Sequence, residues 1–155
     1  MSLPLSVPPS RTAPGGDRPA GPAPYPDRLE LPGPAGRAAL ARLDRLGRPT
    51  GPVFETGGRI CFLLAGGTAE LVPGLLGWLG WGPELGLALR AYRPAPVPRP
   101  RGVEESPPRP VRWLRTADTA GPPLGLDLAG PTLLRLLDAL AEACARDRLG
   151  LPPAR

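Results

Sequence analysis

The sequence predicts an α+β domain: a two-layer arrangement in which helices pack on a mainly antiparallel sheet, preceded by a disordered N-terminal tail. Three observations predict it. The apolar run Ile60 to Leu64 is closed at both ends by glycine pairs, Gly57-Gly58 and Gly66-Gly67, as a short core strand should be. Around it, short extended segments alternate with stretches whose leucines recur at helical spacing. Prolines crowd the first 25 residues, where no apolar period survives.

Met1 to Tyr25 carries Pro4, Pro8, Pro9, Pro14, Pro19, Pro22 and Pro24, and reads as a solvated tail. Asp27 to Leu31 is a short strand stopped by Pro32-Gly33-Pro34. Gly36 to Leu46 is a helix, with Ala39, Leu40, Leu43 and Leu46 on one face and Gly47 and Pro49 ending it. Gly51 to Thr56 is a second strand. It pairs with Ile60 to Leu64 across Gly57-Gly58, because glycine reaches positive φ without steric cost.

Thr68 to Trp81 is a weaker helix, with Pro73 in its first turn and an apolar stripe of Leu71, Leu75, Trp78 and Leu79. Gly74, Gly77 and Gly80 each cost about 1 kcal/mol relative to alanine, so this helix depends on packing. Leu85 to Tyr92 alternates with leucines at 85, 87 and 89 and reads as a strand. Arg93 to Pro110 is loop, and Val111 to Leu114 is a short strand with Trp113 and Arg112 on opposite faces. Asp118 to Ala129 is loop. Gly130 to Arg148 is the strongest helix, with Leu133, Leu136, Leu137, Leu140 and Cys144 in one stripe and Glu142 and Arg146 as an i,i+4 pair. The domain therefore spans 26–150, between a tail at 1–25 and a short tail at 151–155.

Composition bounds the chemistry. With 26 Pro and 21 Gly in 155 residues and only 5% aromatics, leucine and alanine must form a small core. The net charge is +5 and all 19 basic residues are arginine. High-GC codon usage is the plainer reading of the absence of lysine. Affinity for phosphate, which the guanidinium fork binds bidentately, is compatible with it. Cys61 and Cys144 lie inside apolar patterns and read as buried free thiols, with a disulfide left open. There is no signal-peptide pattern and no apolar run of membrane-spanning length, so a cytoplasmic protein without membrane contact is expected. Without histidine the commonest general base is missing, and two distant cysteines make no zinc site.

Two features could carry chemistry. Asp27 and Glu30 are candidate metal ligands or, more plainly, solvated carboxylates. Arg93, Arg99, Arg101, Arg109, Arg112 and Arg115 form a basic stretch diluted by Glu104 and Glu105, either a phosphate-binding loop or a solvated linker. Trp78, Trp81 and Trp113 could stack bases, although Trp78 falls on the leucine stripe and reads as core.

The order of short motifs resembles a known family. Pro34-Ala35-Gly36-Arg37-Ala38-Ala39-Leu40 is followed by Gly51-Pro52-Val53, Gly58-Arg59-Ile60-Cys61-Phe62 and Ala69-Glu70-Leu71-Val72-Pro73 with Gly80-Trp81. Leu87-Ala88-Leu89-Arg90 and Pro110-Val111-Arg112-Trp113-Leu114-Arg115 complete the series. Over residues 26–148 the chain resembles the actinomycete bifunctional DNA primase/polymerase N-terminal domain family. The resemblance implies a primase–polymerase-like fold in which carboxylates hold divalent metal ions near a nucleoside triphosphate. It maps the family's early acidic pair onto Asp27 and Glu30, as remnants of a catalytic site. Cys61 stands where relatives tend to have histidine, and Ala88 where they tend to have aspartate. Two acids hold a metal weakly. The resemblance therefore implies a divergent pseudoenzyme that keeps nucleic-acid or nucleotide binding through Arg59, Arg90, Arg112 and Arg115. No cofactor is expected, and magnesium or manganese only with residual activity. The alternative is a scaffold that presents the fold and the proline-rich tail to a protein partner.

Overall fold

The computed structural model describes residues 25–94, 109–127 and 130–155. The proline-rich segment 1–24 and the loop residues Arg99, Arg101, Glu104 and Glu105 lie outside the described residues. The fold is α+β: five antiparallel strands in one sheet, with helices on one of its faces. Along the chain come β1 (Asp27–Pro32), α1 (Gly33–Arg45), β2 (Val53–Thr56), β3 (Arg59–Leu64) and α2 (Val72–Trp78). They are followed by β4 (Arg90–Tyr92), β5 (Arg112–Arg115), α3 (Ala117–Ala120) and α4 (Thr132–Arg148). The strand order is β4-β1-β3-β2-β5, so the glycine-bounded apolar run lies at the centre of the sheet.

The β2–β3 hairpin forms as its sequence predicts. Gly57 and Gly58 both have left-handed φ, +55° and +74°, which matches a two-residue turn to the twist of the strands. The alternation of β1 then sorts the sheet. Leu29 and Leu31, together with Val53, Ile60, Phe62 and Leu64 of β2 and β3, face a core completed by α1 and α4. On α4 the predicted stripe is buried: Leu133, Leu136, Leu137, Leu140 and Cys144. Alanines at 35 and 39 on α1 and at 139 and 143 on α4 line a cleft between the helices, whose rim is crossed by the Arg42–Glu142 ion pair.

Helix α1 begins at Gly33 rather than Gly36. Pro34 does not stop the chain; it occupies the first turn, where the missing N–H is unpaired in any case. Gly36 is where α1 touches the sheet. A Cβ there would come within 2.5 Å of Ile60 Cβ. Gly36→Ala is therefore expected to destabilise by about 1–3 kcal/mol through overpacking, although alanine is the better helix former. Urea unfolding checks the sign.

Three expectations need correction. The stripe on α2 is core only in part: Leu75 and Leu79 pack against the core, but Leu71 is exposed and Trp78 is 75% exposed, while Val72 is fully buried. The helix is also shorter than expected, ending at Trp78 with Gly80 in the left-handed region. Leu85 to Tyr92 is strand only from Arg90. Pro83–Leu85 forms a 3-10 turn, and Leu87 and Leu89 pack on the core from irregular chain. Finally, the last residues fold back onto the helices. Arg45 Nη2 donates to Ala154 O at 2.9 Å, and Arg146 Nε donates to Pro152 O at 2.7 Å.

Candidate nucleic-acid interface

The sheet has a second face, which no described helix covers. Residues directly opposite in antiparallel strands point to the same side, so the register sets its composition. Arg90, Glu30, Cys61, Phe54 and Trp113 form one row across all five strands. Tyr92, Arg28 and Leu63 form the next. Arg59 and Thr56 close the hairpin end. At one side of this face a groove of about 770 Å³ is lined by Tyr25, Arg28, Phe54, Arg109 and Trp113. Among the described residues the face and groove carry four guanidinium groups, of Arg28, Arg59, Arg90 and Arg109, against one carboxylate, Glu30.

Glu30 is committed locally. It pairs with Arg59 and accepts a 3.0 Å hydrogen bond from the Tyr92 hydroxyl. Arg59 also donates to Ala88 O at 3.4 Å. Arg28 differs from these. Its guanidinium carbon lies 5.4 Å from the centroid of the Phe54 ring, and no carboxylate pairs with it among the described residues. Its Nε is buried without a hydrogen-bond partner. Phe54 also packs against Trp113, centroids 5.4 Å apart and tilted by 59°. Phe54 is itself buried, so the ring this surface offers to a base is the half-exposed Trp113, with cations at its edge.

The structure separates the acids that the sequence suggests as a pair. Asp27 points to the helix side and is fully buried. Its Oδ2 accepts the Ala69 N–H at 2.8 Å, and its Oδ1 accepts Arg93 Nε at 3.3 Å. Glu30, three residues on in the same strand, points to the open face. The two carboxylates cannot ligate one ion from opposite sides of a sheet, so these residues do not fit a shared divalent metal. Among the described residues no group of three or more His, Cys, Asp or Glu is gathered to hold a metal. Asp27 instead fastens the start of β1 to the loop before α2. Asp27→Ala is expected to cost about 1.5–3 kcal/mol of stability, the usual value of a charged hydrogen bond, as read by thermal or urea unfolding.

The predicted phosphate-binding arginines are also divided. Arg59 and Arg90 lie on the open face. Arg112 and Arg115 lie on the helix side of β5, where they pair with Glu55 and Asp44. Of the three tryptophans, Trp113 borders the open face, Trp81 donates its indole N–H to Asp138 at 2.8 Å, and Trp78 projects from α2. Arg28 escaped the sequence reading. The available signal was its period-two relation to Glu30, which places both opposite Leu29 and Leu31.

Both thiols are buried and free. Burial pushes Cys61 up to about 11, helped by Glu30 and opposed by Arg28 and Arg59. Burial likewise pushes Cys144 up to about 11. Burial also raises the Tyr92 phenol, against the hydrogen bond from Arg28. In the unfolded chain a thiol ionises near 9. The folded state therefore binds more protons between that pH and about 11, and stability present below pH 9 is lost as pH rises through this window. Urea midpoints across the window should fall. The fall should be smaller in the double variant Cys61→Ala, Cys144→Ala, with Tyr92 supplying the remainder.

Among the described residues no helix is long and apolar enough to cross a membrane. No family model, no curated protein and no solved structure matches the chain.

Proposed function

We propose that this is a primase–polymerase-like domain without catalytic metal chemistry, which binds single-stranded nucleic acid or nucleotide phosphates on the open face of its sheet. The observation that carries this reading is Arg28, a cation without a carboxylate partner among the described residues, set against Phe54 in a groove edged by Trp113 and Arg109. The guanidinium supplies the phosphate contact and the exposed Trp113 supplies stacking. The motif order in the sequence supports the primase–polymerase affinity. The separation of Asp27 from Glu30 supports binding without turnover. The test is anisotropy of a labelled single-stranded oligonucleotide at two salt concentrations. Binding should weaken with salt, with a log–log slope of about −0.7 for each phosphate contacted. Salt-independent binding, or none at low salt by folded protein, would remove this reading.

A protein-interaction module is the second reading, favoured by the exposure of Leu71 and Trp78 on α2. It predicts a complex that survives high salt and is lost on Trp78→Ser.

A further inference from the structure

Trp113 borders two grooves. It lines the open-face groove with Arg28 and Arg109, and a second groove of about 400 Å³ between α1 and β5 with Arg37, Arg112 and Arg115. Strand β5 is at the edge of the sheet, hydrogen-bonded to β2 alone among the described strands. Trp113 is 52% exposed there, and nothing described stands beyond it. The second groove is itself basic, with three guanidinium groups against Glu55 and Asp44. Glu55 is shared between Arg37 and Arg112, and the Arg112 contact is long at 3.8 Å with its side chain 78% exposed. Such a pair is held weakly and can turn to a phosphate at little cost.

Resting on the open-face reading above, we infer that a single strand of nucleic acid continues around the β5 edge. A base stacks on Trp113 and the backbone passes from Arg28 and Arg109 on one face to Arg112 and Arg115 on the other. The ligand class follows from mechanics. Duplex DNA is stiff over about 150 bp and cannot turn about the edge of one sheet, whereas a single strand can. Arginines that the fold places on opposite faces thereby serve one ligand.

The test compares single-stranded oligonucleotides of about 4 and about 16 nucleotides, the limits of site size in single-strand-binding modules. The variants are Arg112→Ala with Arg115→Ala, and the conservative Arg112→Lys with Arg115→Lys. The alanine pair should lower affinity for the long strand about tenfold and reduce its salt slope by about 1.4, two phosphates at about 0.7 each. It should leave the short strand unchanged, and the lysine pair should restore most of the loss. Several results overturn the wrapped path while leaving the open-face site in place: unchanged long-strand affinity in the alanine pair while Arg28→Glu still abolishes binding, an equal loss on both lengths, or equal affinity for a duplex of the same length. Absence of binding by the wild-type chain to either length overturns both.

Discussion

Arg28→Glu is expected to lower affinity for single-stranded oligonucleotide about a hundredfold while the domain stays folded. Arg28 sits in the second strand of the sheet, between Tyr92 on one side and Leu63 on the other, and reaches over Phe54. Among the described residues it has no carboxylate partner such as Arg59 has in Glu30. Its charge is shared only with the neutral Tyr92 hydroxyl, whereas Arg59 must first give up its ion pair with Glu30. Charge reversal removes an attraction and adds a repulsion, and a hydrogen bond to a charged group contributes about 1.5–3 kcal/mol. A hundredfold loss is about 2.8 kcal/mol at the usual tenfold per 1.4 kcal/mol. The side chain is outside the helix-side core, so far-ultraviolet circular dichroism should be preserved. Arg28→Glu with wild-type affinity would move any binding off this face.

Phe62→Ala is expected to cost about 3–5 kcal/mol, the largest stability effect in the chain. Phe62 has no exposed surface and lies in β3, the middle strand, opposite Leu29 on one side and Val53 on the other. Only two phenylalanines serve the whole chain, and the other, Phe54, faces away from this core. The remaining core is leucine, alanine, β-branched residues and Cys144, which cannot collapse to fill a benzyl-sized space. Domains have only about 5–15 kcal/mol in all, and a small core belongs to the lower part of that range. The urea midpoint should fall steeply at unchanged slope. A loss below about 1 kcal/mol would mean that β3 is not the centre of the core.

Much of this architecture is legible in sequence because a single physical pattern dominates each element. Glycine pairs bound β3, paired left-handed glycines close the hairpin, and five apolar positions at helical spacing define α4. The misreadings have equally local causes. Leu71, Leu75 and Trp78 share a helical face, but nothing in a period says which face the sheet will cover. The structure packs Leu75 against the core, buries Val72 and leaves Leu71 and Trp78 exposed. Leu85, Leu87 and Leu89 alternate as a strand does, yet Pro83 and the left-handed Gly86 divert the chain before it reaches a pairing partner.

The open face is half legible in the sequence. Strict alternation already separates Asp27 from Glu30, an odd and an even position of one strand. The resemblance drew them together as a pair, and geometry separates them. Arg112 and Arg115 show the reverse. Three residues apart in a regular strand, they would face opposite sides. A register shift opposite Val53 and Phe54 brings both to the helix side. No rule of spacing announces that shift. Nor does sequence show that Glu30 pairs with Arg59 and leaves Arg28, among the described residues, without a carboxylate.

The most direct measurement is the fluorescence of a Trp78→Phe, Trp81→Phe variant, in which Trp113 is the sole tryptophan, titrated with single-stranded oligonucleotide at low salt. Binding on the open face predicts that the emission is quenched as bases stack on Trp113, with the same midpoint as the anisotropy titration and reversal on adding salt. Anisotropy that rises to saturation while Trp113 emission stays constant would contradict the account, because the ligand would then be bound away from this face.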